Sequence, residues 1–141
     1  MILGIDHVGI AVADAAAAAD AFARLTDGSA GAVEEVAGQA VRVCFVSGGR
    51  ASRVELLEPL GADTPVGHFL ARRGEGLHHI CFAVDDIRAE MARLSGEGFE
   101  LIDAEPRRGH GGLVAFLHPK CAHGVLVELL QRDEGRRTKD E

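Results

Sequence analysis

The hydrophobic pattern changes period along this chain in an order that repeats. Residues 2–12 alternate: Ile5, His7, Gly9 and Ala11 share one face, and Val8, Ile10 and Val12 share the other. The second face is the more apolar and predicts packing on a helix. The first carries small residues around a histidine and suits the floor of a cavity. Asp14 is placed to cap a helix over 15–25, favoured by its alanine run and stopped by Asp27-Gly28. Strands are predicted over 32–36, 39–46 and 53–57, with Gly38 and Ser47-Gly48-Gly49 as turns. Thr64 and Pro65 open a short connecting helix over about 64–72. The order then recurs: a strand over 77–84, an Asp86-capped helix to about Ser95, and strands over 99–102, 113–117 and 125–130. Residues 132–141 are charged, lack an apolar side chain and read as a disordered tail.

The recurrence extends to residue identities. Ile5-Asp6-His7-Val8-Gly9-Ile10-Ala11-Val12-Ala13-Asp14 lies over Leu77-His78-His79-Ile80-Cys81-Phe82-Ala83-Val84-Asp85-Asp86, with His7 on His79 at an offset of 79 − 7 = 72. Val54-Glu55-Leu56-Leu57 returns as Val127-Glu128-Leu129-Leu130 at 128 − 55 = 73. Two echoes at nearly one offset mark an internal duplication. The fold class that follows is α+β: two tandem βαβββ modules, about 2–60 and 76–131, within a single domain spanning 2–131. Either half alone buries too little surface to be more than marginally stable, so the halves are expected to depend on each other.

Composition adds limits. With 47% apolar residues the chain has the makeup of an ordinary folded protein. Fifteen basic against 22 acidic residues, a formal charge of −7, argue against nucleic acid or an anionic membrane as partner. Three cysteines without C-x-x-C spacing argue against a disulfide framework and fit a reducing cytoplasm. No signal-peptide pattern, membrane-length apolar run, dinucleotide fingerprint or nucleotide-binding glycine loop is present.

What the halves share chemically is one His and one Glu each. A strand-borne His or Glu met singly is ordinarily solvated or bonded to backbone. Here each glutamate sits between apolar neighbours, where an ionised carboxylate is costly unless paired, hydrogen-bonded or metal-bound. His7, Glu55, His79 and Glu128 could converge by pseudo-twofold symmetry as a mixed nitrogen and oxygen donor set suited to Co, Zn, Ni or Mn. The stretch Arg107-Arg108-Gly109-His110-Gly111-Gly112 reads either as an anion-contacting loop or as a plain polar hairpin. Lys120 could hold a carboxylate or merely close a turn. Cys81, on the His79 face, reads as a small buried apolar residue.

Several stretches carry a closer likeness. Asp6 to Val12, Glu55-Leu56-Leu57-Glu58-Pro59-Leu60, Gly76-Leu77-His78-His79-Ile80, and His118-Pro119-Lys120 followed by Gly124 to Leu129 resemble the methylmalonyl-CoA epimerase family of the vicinal oxygen chelate superfamily, over about 2–131. The resemblance implies curved sheets forming a metal-binding cup, with His7, Glu55, His79 and Glu128 as ligands to a divalent metal. It implies an isomerase acting on an acyl-CoA thioester, with Glu128 also moving the α-proton, and tilts Arg107, His110, Gly111, Gly112 and Lys120 towards substrate contact. It further implies a homodimer. Family members accept Gln at the Glu55 position. One bacterial form has a glutamate, proposed as a second base, in the strand before the hairpin, where alignment sets Arg42. The alanine-rich first helix is another departure. A glyoxalase I-type lactoylglutathione lyase, or a non-catalytic drug-binding protein on the same fold, are the alternatives.

Overall fold

The computed structural model describes residues 1–48 and 52–133. Its elements are β1 (Ile2–Ala11), α1 (Ala15–Thr26), β2 (Ser29–Ala30), β3 (Glu34–Val36), β4 (Val41–Ser47), β5 (Arg53–Pro59), α2 (Pro65–Arg73), β6 (Gly76–Val84), α3 (Ile87–Gly96), β7 (Arg107–Arg108), β8 (Gly112–Leu117) and β9 (Val127–Arg132). The α+β class and the doubled βαβββ order stand. Gly49 of the expected turn and residues 134–141 of the expected tail lie outside the described residues.

Two compact units divide the chain, one of His7–His78 and one of Met1–Asp6 with His79 onward. In the first, strands run in the order β2-β4-β5-β1, with β3 also beside β4. β1 pairs with β5 in parallel, from His7↔Arg53 to Ala11↔Leu57, and β4 pairs with β5 antiparallel. Period-two alternation sorts the apolar residues into two cores. Val12, Cys44, Val46 and Leu56 pack with Ala15 and Ala19 of α1; Ala11, Val41, Val43 and Leu57 pack with Val66 of α2. In the second unit the order is β6-β9-β8-β7. β6 pairs with β9 in parallel, from Ile80↔Val127 to Ala83↔Leu130, and β8 pairs with β9 antiparallel. Its core joins Val84, Ala115, Leu117 and Leu129 to Ile87, Met91 and Leu94 of α3. Cys81 is fully buried with Val114 and Leu130, as a small apolar residue should be.

The helix starts follow from local chemistry. Asp14 and Asp86 stand in extended backbone, and each carboxylate accepts the amide of the residue three further on, Ala17 and Ala89. The first-turn amides of α1 and α3 find a second acceptor from a distant strand. Ala15 N–H donates to Glu58 Oε1 at 2.9 Å, and Ile87 N–H donates to Gln131 Oε1 at 2.9 Å. Glu58 and Gln131 each lie three residues beyond the repeated glutamate, so one strand sets both that glutamate and the helix start.

Some expected elements moved. Residues 99–102 form no strand; Leu101 makes an isolated bridge to Leu117. The amide bonds of this stretch diverge: Phe99 N–H goes back to Leu94 O of α3, Glu100 N–H to Cys121 Sγ, and Ile102 N–H to Phe116 O. Arg107–Arg108, on β8, takes its place. The strand expected over 32–36 is confined to Glu34–Val36, and the one expected from 39 starts at Val41, because Ala37–Gln39 turn as a 3₁₀ helix and Ala40 takes a left-handed φ of 56°. Arg132, expected in the tail, ends β9 and meets Asp6 at 2.6 Å. Among the described residues, no helix is long and apolar enough to cross a membrane.

Candidate metal centre

In the first unit, His7 and Glu55 are almost fully buried, at 4% and 6% exposure. His7 sits on β1 and Glu55 on the parallel neighbour β5, and their Nε2 and Oε1 atoms lie 3.3 Å apart. Phe45 is the cross-strand partner of Glu55 on β4. Its ring meets the His7 imidazole edge to face, centroids 5.4 Å apart and planes at 86°. The Arg53 guanidinium carbon lies 4.2 Å from the centre of the same ring.

The second unit repeats this set. His79 on β6 and Glu128 on β9 are buried, with Nε2 and Oε1 at 3.2 Å. Phe116 of β8 is the cross-strand partner of Glu128 and lies edge to face on His79 at 6.3 Å and 83°. Arg107 lies 5.6 Å over the Phe116 ring, and its Nε is 3.3 Å from Asp103 Oδ1. The other Asp103 oxygen accepts the Phe116 amide at 2.8 Å. Each pair therefore offers one imidazole nitrogen and one carboxylate oxygen, buried beside a phenyl ring. That donor chemistry fits a first-row divalent cation such as Zn, Co, Ni or Mn.

The remaining expected site residues divide. Arg107 belongs to the ring cluster just described. Gly111 and Gly112 shape the turn from β7 to β8: Gly111 O accepts Asp133 N–H at 3.1 Å, and a Cβ on Gly112 would lie 2.1 Å from Gln131 O. His110 lies in the same turn, half-buried. Lys120 Nζ is 3.2 Å from Glu100 Oε1, an exposed pair that ties the turn before β9 to the 99–102 stretch. His78 packs edge on Phe69 at 5.0 Å. Arg42 corrects an expectation. It shares its side of β4 with Cys44 and Val46, the α1 side, and its Nη1 lies 2.7 Å from Glu58 Oε2. The positions of β4 on the other side, with Glu55, are Val41, Val43, Phe45 and Ser47, so β4 carries no acid there.

Phe45, Phe116 and Arg53 were not singled out from sequence, nor were the helix-capping Glu58 and Gln131. A signal for the caps was present, since Val54 to Glu58 and Val127 to Gln131 match through the fifth position in shape. Of the three free cysteines, Cys44 has its thiol pushed up by burial, which makes it an unreactive core residue.

Comparison with known proteins adds the following. The family described as Glyoxalase/Bleomycin resistance protein/Dioxygenase superfamily matches residues 6–116. The chain is 40% identical over 134 residues to the ethylmalonyl-CoA/methylmalonyl-CoA epimerase of Cereibacter sphaeroides, covering 93% of this chain and 99% of that one. The crystal structure of methylmalonyl-CoA epimerase from Mycobacterium tuberculosis is similar at a TM-score of 0.90 and 32% identity, covering 97% of this chain and 93% of that one. A Streptomyces coelicolor methylmalonyl-CoA epimerase variant in complex with 2-nitronate-propionyl-CoA is similar at a TM-score of 0.87 and 38% identity, covering 95% and 97%.

Proposed function

The chain belongs to the methylmalonyl-CoA epimerase family of the glyoxalase/bleomycin resistance/dioxygenase superfamily, and from that premise we propose that it epimerises the α-carbon of a malonyl-type CoA thioester, methylmalonyl-CoA foremost. Residues 2–131 act as one functional domain, in the cytoplasm and as a homodimer. His7, Glu55, His79 and Glu128 hold a divalent metal, Co, Zn, Ni or Mn. Such an ion supplies Lewis-acid polarisation of the thioester carbonyl, which makes the α-proton more acidic. The chain's residues do the rest. The imidazoles present ring nitrogens as neutral donors, and Phe45 and Phe116 pack edge on beside them. Glu128 serves one face of the α-carbon, as the base that takes the proton or the acid that returns one, because a carboxylate can do either near neutral pH, and a second group serves the opposite face. Glu55 acts as a ligand only. Arg42 takes no part in proton transfer, being turned to the α1 side and paired with Glu58.

The observation that carries this reading is the twofold occurrence of a buried His–Glu pair behind a phenyl ring. A structural role would leave no reason for both halves to retain the cost of a buried carboxylate. Incubating one epimer of methylmalonyl-CoA with metal-loaded protein in deuterated water is expected to give α-deuterium in both epimers. Chelation should stop it and metal restore it. Absence of metal-dependent exchange across a panel of acyl-CoAs would refute the reading.

A further inference from the structure

The phenyl ring beside each histidine is held differently in the two halves. In the first, Phe45 O accepts the Gly31 amide at 2.8 Å, and the next residue, Ala32, has no side-chain acceptor. In the second, Phe116 O accepts the Ile102 amide at 2.8 Å, and the next residue is Asp103. Its Oδ2 accepts the Phe116 amide at 2.8 Å. Both main-chain polar groups of Phe116 are thus taken by consecutive residues of one segment.

The Asp103 carboxylate stands where a strand has run out. β7 pairs with β8 only as far as Arg107↔Val114, two residues short of Phe116. A backbone N–H beyond the end of a ladder is met by water or by a side chain. Asp103, its side chain 16% exposed, meets this one, and a bond to an ionised acceptor is stronger than one to a carbonyl. Its other oxygen lies 3.3 Å from Arg107 Nε, and the Arg107 guanidinium lies over the Phe116 ring. One side chain therefore grips Phe116 at its main chain and, through Arg107, at its ring face.

Phe116 in turn meets both members of the second pair. Its ring lies edge to face on His79, and its Cα is the ladder partner of Glu128. Glu128 is the residue to which the epimerase reading gives a proton to move, whereas Glu55, in the half with Ala32, is a ligand only. Proton transfer tolerates misplacement poorly: an error of about 1 Å can cost on the order of a hundredfold in rate.

We propose that Asp103 is a positioning residue, which fixes Phe116 and through it the His79 imidazole and the Glu128 carboxylate. The inference rests on the epimerase reading above. Asp103 itself exchanges no proton with the substrate.

The test compares Asp103→Asn, Asp103→Ala and Asp103→Glu with wild type in metal-loaded form at equal occupancy. Asparagine keeps an oxygen for the Phe116 amide at the same reach, so Asp103→Asn should retain most of kcat. Asp103→Ala removes that oxygen, and kcat should fall on the order of ten- to a hundredfold with KM little changed. Asp103→Glu carries its oxygens one methylene further and should fall between; it carries the test should the Ala variant not fold. The second readout is carbon–proton NMR of the histidine rings, recorded with zinc and without metal. The His79 signals should move in Asp103→Ala and stay in Asp103→Asn, while those of His7 stay in both. A merely structural residue would lower the thermal midpoint and leave kcat per loaded molecule and the His79 signals unchanged, and that result overturns the proposal. Equal loss of kcat in Asp103→Asn and Asp103→Ala overturns it too, since the bond to the Phe116 amide would then not matter. A wild type that exchanges no α-proton fails the epimerase reading instead, and the NMR comparison still reads the grip on His79.

Discussion

The two His–Glu pairs are close copies, while the scaffolds under them differ in charge. Each glutamate stands on the strand parallel to its histidine, opposite a phenylalanine that lies edge on to the imidazole. Three residues further, the halves part. Glu58 caps α1 with a charged group and draws in Arg42 as a counter-ion, whereas Gln131 caps α3 as a neutral amide. A second divergence lies on the helices. Glu90 of α3 is buried and accepts from the Met1 ammonium and from Arg93 Nε at 3.0 Å; its counterpart by offset, 90 − 72 = 18, is Ala18 of α1. Duplication has kept the His–Glu pairs and let their supports drift, because a support need only hold a strand or helix in place.

The largest break in the symmetry is expected in turnover. Glu55→Gln should keep metal and much of the activity, since an amide oxygen can still ligate. Glu128→Gln should keep some metal and lose turnover on the order of 10²–10⁴-fold, the usual worth of general acid–base help. Both variants must be compared at equal metal occupancy. Turnover within a few-fold of each other would make Glu128 a ligand only.

A smaller effect separates the helix caps. Replacing Gln131 by Ala removes one acceptor and should cost about 1 kcal/mol of unfolding free energy, as cap losses do. Glu58→Ala removes the cap and also leaves Arg42 without its nearest carboxylate, so it should cost at least as much in a denaturant titration. Arg42 is partly exposed, and water will screen most of that second loss. If Gln131→Ala proved the costlier, the charged cap would not be the stronger one.

The smallest difference is a pH slope found in the second unit. The Met1 ammonium donates to Asp85 at 2.7 Å and to Glu90, and these bonds, Asp85's first, hold its pKa above the ordinary value. Both carboxyls are held below their ordinary range, chiefly by the same bonds from the ammonium. The carboxylate contribution is present above the usual carboxylate pKa and lost as pH falls through the lowered values. The ammonium contribution is present below its usual value and lost as pH rises through the raised one. Thermal midpoints of Glu90→Ala should therefore depend less steeply on pH at both ends than those of the parent. Unchanged slopes would mean that Glu90 titrates alike folded and unfolded.

What the sequence revealed, and what it hid, divides along physical lines. The Asp14 and Asp86 caps were readable because an N-cap is a contact over three residues of chain. The two His–Glu pairs were readable because duplication wrote each residue type twice. Phe45 and Phe116 were not, since their place opposite a glutamate depends on strand register, which the apolar pattern leaves open by two residues at a time. Arg42 shows the hazard from the other side: a shift of one residue moves a side chain to the opposite face. Residues 99–102 alternate well enough for a strand, but pattern cannot tell that the amides of Phe99 and Glu100 are taken by α3 and Cys121.

The parallel pairing of β1 with β5, and of β6 with β9, has a kinetic consequence. Adjacent strands such as β4 and β5, or β8 and β9, close over short connections. His7 and Glu55 are separated by 48 residues and His79 and Glu128 by 49, with a helix and a hairpin between them. Loop-closure entropy must be met before such distant strands gain anything by pairing, so local hairpins form early and the histidine strands dock late. A chain with its hairpins made and β1 or β6 still undocked has its glutamates in place and no imidazole beside them. Pairing of each histidine with its glutamate is thus expected late in folding, after the local hairpins.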